Sequence, residues 1–296
     1  MSCQNPAVTH DFCGQMDTKT TSDPHDIPEQ SDAPDDAERR FGSVNRAYGR
    51  EVIGELAKRH VVVVGLGGVG SWASEARARS GVGHLTLIDL DHVALSITTH
   101  QVHAVQHTIG QAKVVAMRER ILGIDPDCRV DMLDAFVDAD NVHTALPDSA
   151  DVVLDCTDQV AAKAAMVLCA HQRGQRLIVC GAAGGKTDAL SLRFGDLRDT
   201  THDALLARLR TQLRKRHGFA GVSQKSGKKR TARMGVEVLW FEQPAHRPDQ
   251  MTANVSQVVP LSCAGYGSLV TVTAAMGLAA AGQALQGLVT LPDQQA

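Results

Sequence analysis

The run Val61-Val62-Val63-Val64-Gly65-Leu66-Gly67-Gly68-Val69-Gly70, with Leu87-Ile88-Asp89-Leu90-Asp91 after it, decides the fold. Four consecutive valines suit a strand buried on both faces of a parallel sheet. The glycines that follow permit a tight turn and let the backbone approach a phosphate. Its charge is met by free N–H groups at the start of the next helix. The second apolar run ends at Asp89, about 20 residues beyond the loop, where a carboxylate can bind ribose hydroxyls. This is the opening of a nucleotide-binding βαβ unit. Strands are predicted at 61–64, 85–89, 129–133, 152–155 and 177–180, with helices between them that include 69–80 and 110–123. That alternation predicts an α/β, Rossmann-like, doubly wound, mostly parallel sheet flanked by helices.

The 296 residues are 43% hydrophobic and 21% charged, the composition of a globular protein. Aromatics are only 3%, so Val, Leu, Ile and Ala must fill the core. The formal charge of -3 hides an asymmetry. Residues 1–38 carry nine carboxylates against Lys19 alone, which leaves the remainder at about +5. Lacking apolar periodicity, 1–38 read as a disordered acidic tail, and 39–296 as one domain. Residues 193–233 form a basic insertion, read either as a solvated face or as a contact for phosphate backbone through Lys225, Lys228, Lys229 and Arg230. Residues 259–291 carry no charged side chain. Glycines dilute their hydrophobicity, so they read as a C-terminal extension packed on the same domain, not a membrane span. The seven cysteines are odd in number and irregular, with no C-x-x-C pair. That argues for free thiols in a reducing cytoplasm and against a structural zinc site. No secretory pattern opens the chain.

Gly65-x-Gly67-x-x-Gly70 alone also fits an NAD-dependent dehydrogenase. Gly110-x-x-Lys113 and Asp155-Cys156-Thr157-Asp158 point elsewhere. Lys113 begins a helix, where an ammonium can meet polyphosphate, and Asp158 follows a buried strand, where a carboxylate can hold Mg²⁺. A lysine and a metal carboxylate around a glycine loop suit adenylation, in which the departing pyrophosphate needs cations.

From about residue 39 to 290 the chain resembles the E1-like (ThiF-type) activating superfamily, and within it the tRNA threonylcarbamoyladenosine dehydratases. The motifs are Arg40-Phe41-Gly42 through Arg46 and Tyr48-Gly49, Gly65 to Trp72, Gln101-Val102-His103-Ala104, Gly110-Gln111-Ala112-Lys113, Gly181 to Gly185, and Cys263-Ala264-Gly265-Tyr266-Gly267. The resemblance implies an adenylating domain that uses ATP and Mg²⁺. The threonyl carboxylate of threonylcarbamoyladenosine in tRNA attacks the α-phosphate of ATP. The ureido nitrogen of the same group then displaces AMP and closes a ring, with net loss of water. By motif, Gly65, Gly67, Gly68 and Gly70 approach phosphate, Asp89 and Asp91 serve the ribose side, and Gln101 lines the site. Lys113 meets phosphate, Asp158 holds the metal, and Arg46 reaches the ATP of a partner in a homodimer. Each has a plainer reading: Asp89 as a strand cap, Lys113 and Arg46 as solvated cations, Asp158 as a helix cap. Cys263 reads as structural, with thioester chemistry as its alternative. Family context also implies a cysteine-desulfurase or sulfur-acceptor partner.

One stretch departs from the pattern. Where the family reads Ser-Asn-x-Asn-Arg-Gln, this chain reads Ser96-Ile97-Thr98-Thr99-His100-Gln101. Ile97 has no side-chain hydrogen bond to give, and His100 lacks arginine's planar fork. The expectation is weakened adenylation, improved by the triple change Ile97→Asn, Thr99→Asn and His100→Arg. The competing reading is a homologue that binds nucleotide and tRNA without catalysis.

Overall fold

The four valines lie in β1 (His60–Val64), every residue of which is buried. The computed structural model describes residues 36–219, 222–223, 230–246 and 266–289. Around β1 stand β2 (His84–Ile88), β3 (Arg129–Leu133), β4 (Val152–Asp155), β5 (Arg176–Cys180), β6 (Leu192–Asp196) and, after the short antiparallel pair β7 (Val222–Ser223) and β8 (Arg230–Thr231), β9 (Glu237–Phe241). They form a seven-stranded sheet in the order β3-β2-β1-β4-β5-β9-β6. Every pairing is parallel except β6 with β9. From β1 the chain builds outward to β2 and β3 on one side and to β4 and β5 on the other. The strand order therefore reverses at β1 and β4, which opens a crevice beyond their carboxyl ends.

The alternation of side chains along β1 explains the valine run. Val61 and Val63 enter one core with Leu56, Met117, Ile121, Val272 and Met276. Val62 and Val64 enter the other with Val153, Met166, Leu206, Leu209 and Trp240. Burying a valine on either face contributes about 1.5–3 kcal/mol, so a polar residue in this strand would be opposed from both sides.

In chain order the helices begin with α1 (Asp36–Tyr48), α2 (Ile53–Leu56), α3 (Gly70–Ala78) and α4 (Lys113–Ile124). Next come α5 (Val142–Ala145), α6 (Val160–Arg173), α7 (Ala204–Arg216) and α8 (Val270–Leu288). Helix α6 stops at Gly174, whose φ of 62° suits a left-handed glycine cap. Helix α8 packs on α3 so closely that a Cβ at Gly277 would lie 2.9 Å from Trp72 Cβ and 3.0 Å from the Ala73 nitrogen. The apolar C-terminal segment is thus a buried helix where it is described. No described helix is long and apolar enough to cross a membrane.

Three boundaries differ from the sequence reading. Asp36 and Glu38, assigned to the acidic tail, form the first turn of α1, where carboxylates complement the helix dipole; residues 1–35 lie outside the described residues. The lead-in at 39–60 is two helices and the first residue of β1. Where it is described, the basic segment 193–233 takes part in the packed fold. It begins inside β6, where Arg193 pairs with Glu242 at 3.0 Å, and continues into α7, whose Leu206, Leu209 and Leu213 are fully buried.

Candidate functional site

The crevice is floored by the glycine loop between β1 and α3. The Gly65 N–H donates to the Ile88 carbonyl at 2.8 Å and turns the chain across the end of β2. Gly65 has φ +87° and passes close to the next loop: a Cβ there would lie 3.0 Å from the Cys156 carbonyl. A Cβ at Gly70 would overlap the Gly65 carbonyl oxygen. A Cβ at Gly67 would meet nothing within 4 Å. The loop therefore closes on itself at its ends and stays open at its tip.

Asp89 pins this loop. Its Oδ2 accepts the Leu66 N–H at 2.6 Å and its Oδ1 the Asp91 N–H at 2.8 Å. Burial pushes its carboxyl up, opposed by the Lys113 cation and by these two N–H groups. Lys113, at the first position of α4, is 6% exposed. Its Nζ lies 2.9 Å from Asp91 Oδ2 and 3.8 Å from Asp89 Oδ1. An incoming polyphosphate would exchange with the exposed Asp91 for that ammonium. Gln101 is buried with Oε1 unpartnered. His103 is 1% exposed, and neither ring nitrogen has a hydrogen-bond partner among the described residues. Burial, then the Lys113 and Arg120 cations, lower it to about 4.

The divergent stretch runs along one edge of the loop. Ile97 is partly buried and packs against Val93, Ala104 and Ala116. The Thr99 hydroxyl lies 2.9 Å from His100 Nδ1. The His100 ring lies against the loop, its Cδ2 2.8 Å from where a Gly68 Cβ would stand. Of the three divergent positions, Ile97 fills a small apolar cluster and Thr99 meets the ring of His100.

From the other side, β4 ends in Asp155 and the Cys156-Thr157-Asp158 turn. Asp155 Oδ1 accepts Lys163 Nζ at 3.1 Å, Thr157 Oγ1 at 2.7 Å and the Thr157 N–H at 3.1 Å. Lys163 also donates to the Cys180 carbonyl at 2.7 Å. Both members of this ion pair are fully buried. Asp158 is exposed beyond the turn and makes no hydrogen bond or ion pair with a described residue. Cys156 and Cys180 lie across adjacent strands with sulfurs 3.9 Å apart, and their mutual hydrogen bond and burial raise the Cys156 thiol. Asp203 caps α7 through the Leu206 N–H at 2.9 Å and also accepts the Ala182 N–H at 2.8 Å. The Gly185 N–H then meets the Gly267 carbonyl at 3.0 Å. Two motifs far apart in sequence meet there.

The structure therefore brings together Gly65, Gly67, Gly68, Gly70, Asp89, Asp91, His100, Gln101 and Lys113, with Asp158 on the facing turn. It does not bring Arg46 to them. Helix α1 lies at the opposite end of the sheet: Arg40 donates to the Ile124 carbonyl at 2.9 Å, Phe41 abuts Gly81, and the Gly83 N–H, just before β2, donates to Leu56 at 3.1 Å. Arg46 is exposed there with no partner among the described residues. Lys225, Lys228, Lys229 and Cys263 lie outside the described residues, as does the side chain of Arg230. Glu237, in β9, pairs with Arg176 at 2.9 Å. The buried Lys163 was not singled out from sequence; its signal was a lone lysine in the Ala-rich α6, eight residues after Asp155.

Known proteins fit this geometry over nearly the whole chain. The ThiF family model matches residues 43–296. The tRNA threonylcarbamoyladenosine dehydratase of Haemophilus influenzae is 36% identical over 256 residues, covering 86% of this chain and 95% of that protein. The enzyme of the same name from Escherichia coli is 36% identical over 264 residues, covering 87% and 96%. The E. coli tRNA N6-threonylcarbamoyladenosine dehydratase solved in complex with ATP superposes with a TM-score of 0.74 at 36% identity, over 86% of this chain and 96% of that one.

Proposed function

The chain belongs to the ThiF family, and from that membership we propose that it is an ATP-dependent dehydratase of threonylcarbamoyladenosine in tRNA. The observation that carries the reading is convergence. The glycine loop, Asp89 and Lys113 meet at the point where strand order reverses, and the similar E. coli enzyme is one solved with ATP.

The chemistry follows from what these groups can do. Hydroxide is a poor leaving group, so direct loss of water from a carboxylate is slow; transfer of AMP to the carboxylate supplies a better one. The loop N–H groups and the start of α3 receive phosphate oxygens, and Lys113 stabilises the charge that develops on pyrophosphate. Asp89 holds the loop and faces the ribose side. Ring closure by the ureido nitrogen joins two parts of one group, and proximity supplies the advantage. No cysteine is required. Asp158 is the residue that would hold Mg²⁺. No set of three His, Cys, Asp or Glu forms a cation cage among the described residues, and a single exposed carboxylate suits an ion that keeps waters and phosphate as its other ligands. Bound there, Mg²⁺ would neutralise phosphate charge.

The tRNA contact is assigned to the basic 193–233 segment, to Lys225, Lys228, Lys229 and Arg230 by their sequence alone, and to the exposed Arg208, Lys215 and Arg216 of α7, a helix with five cations and no acid. A homodimer fits two features: Arg46 sits far from its own loop, and Leu190, Leu269, Val270 and Leu278 are exposed apolar side chains. A cytoplasmic location and a sulfur-transfer partner belong to the same proposal. The packing of Ile97 and the Thr99–His100 contact weigh against the binding-only reading. The test is pyrophosphate release from ATP. Release that depends on tRNA carrying threonylcarbamoyladenosine supports the reading; none, with the nucleotide still bound, returns the chain to a binding protein.

A further inference from the structure

His100 is held from both sides at the lip of the glycine loop. Its carbonyl accepts Trp72 Nε1 at 3.1 Å from α3 and Thr273 Oγ1 at 3.3 Å from α8. Its Nδ1 lies 2.9 Å from Thr99 Oγ1. Its Cδ2 edge faces Gly68, 2.8 Å from where a Cβ would stand. Nε2 is bonded to that same carbon and makes no hydrogen bond to any described residue. The ring is thus fixed, one nitrogen is occupied, and the free nitrogen lies at the loop edge.

The partner of Nδ1 is a hydroxyl, which can donate or accept. It donates to Nδ1 of a neutral ring and accepts from Nδ1–H of an imidazolium, so both charge states are satisfied without movement. In either state Nε2–H remains a donor. We propose that His100 is a titrating phosphate contact, donating Nε2–H to a phosphate of the bound nucleotide and gaining a solvent proton at Nδ1 as the polyanion arrives. The proton returns to solvent when the phosphates leave. This rests on the nucleotide reading of the loop and adds to it a proton-coupled step.

The local electrostatics agree in direction. In the free protein, burial and then the Lys113 ammonium hold the imidazole below its ordinary range. Lys113 of α4 is the charged group that faces it; Trp72 of α3, Thr273 of α8 and the adjacent Thr99 carry no charge. A phosphate reverses that field, since an opposite charge within a few ångströms favours the protonated form. A group whose pKa rises on binding strengthens binding at low pH and loses that contribution as pH climbs through its bound-state value. The dissociation constant then rises with pH, by at most about tenfold per unit for one proton.

The test is calorimetric titration of the full chain with Mg²⁺ and α,β-methylene ATP, between pH 6.5 and 8.5, in buffers of different ionisation enthalpy. Comparing the wild type with His100→Gln separates the ring from the nucleotide's own ionisation. The expected result is net proton uptake in the wild type above that of His100→Gln, with a steeper rise of Kd with pH. His100→Arg should bind with no such excess. Thr99→Val, which deprives Nδ1–H of its acceptor, should lessen the uptake while leaving the ring in place. Equal uptake and equal pH slopes in wild type and His100→Gln would overturn the inference alone. Failure of every protein, circular dichroism showing each folded, to bind the nucleotide would overturn the site reading and the inference with it.

Discussion

Replacing Lys163 by Met should destabilise this protein severely, and replacing its partner as well should undo most of the damage. Lys163 and Asp155 are both fully buried, with Nζ 3.1 Å from Oδ1. The lysine also satisfies the Cys180 carbonyl at the end of β5, and Asp155 Oδ2 has no hydrogen-bond partner among the described residues. Removing the cation leaves a carboxylate in the core with only Thr157 to solvate it. Breaking such a pair from one side is worth about 3–5 kcal/mol, whereas exchanging the whole pair for apolar groups is often neutral or favourable. Asp155→Leu with Lys163→Met should therefore lie within about 2 kcal/mol of the wild type, after allowing for the unpaired Cys180 carbonyl at about 1–3 kcal/mol. Urea unfolding of the four proteins of the cycle, followed by circular dichroism at pH 7.5, reads this directly. A single Lys163→Met loss under 1 kcal/mol would refute the reasoning, and so would a double variant as weak as the single. Asp155 also shapes the turn that presents Asp158, so the double variant should fold well yet bind nucleotide less tightly.

Gly70→Ala should both destabilise and disable, because its Cβ would overlap the Gly65 carbonyl; overpacking of this kind costs about 1–3 kcal/mol, and fluorescent-ATP titration of the folded fraction should show binding lost. Arg77 is 0% exposed with no nitrogen hydrogen-bonded among the described residues, and burial pushes its guanidinium down to about 9. Arg77→Leu removes a buried polar group from the core and should raise Tm, and a lowered Tm would contradict this. His60 and His103 are each lowered to about 4, first by burial and then by neighbouring charge. Both are neutral when folded and protonate more readily when unfolded, so stability is held above about pH 6.5 and lost as pH falls toward 4, by roughly 3 kcal/mol apiece. Urea midpoints at pH 7.5 and 4.5 should differ accordingly, less so in His103→Leu; identical midpoints in the wild type would count against it.

The parallel half of the fold was legible because its signals are local. Val61–Val64 must be buried on both faces, and the glycines after them allow only a few backbone paths, so β1 and its loop followed directly. β6 and β9 were not placed. Leu192–Asp196 holds two charges and a glycine in five residues, and its role as an antiparallel edge depends on β9, some forty residues later. Such pairing leaves little trace in either segment. In the candidate site, spacing was enough to bring Asp89 and Lys113 beside the glycine loop. Local pattern could not show that Ile97 turns into the Val93–Ala104–Ala116 cluster, or that Thr99 serves His100. Read as losses against a motif, these residues suggest impairment; read in three dimensions, each has a contact of its own. Arg46 is a different case: the motif directs it to a partner's ATP, and within the single chain it stands at the far end of the sheet from the glycine loop.

The central claim is tested most directly by incubating the full chain with ATP, Mg²⁺ and tRNA bearing threonylcarbamoyladenosine, then digesting the tRNA and weighing its nucleosides by mass spectrometry. The account predicts ATP-dependent loss of one water from that nucleoside. Lys113→Met should slow this by about 10²–10³-fold, the usual effect of removing one preorganised contact. An unchanged nucleoside, from protein that is folded and binds ATP, would contradict it.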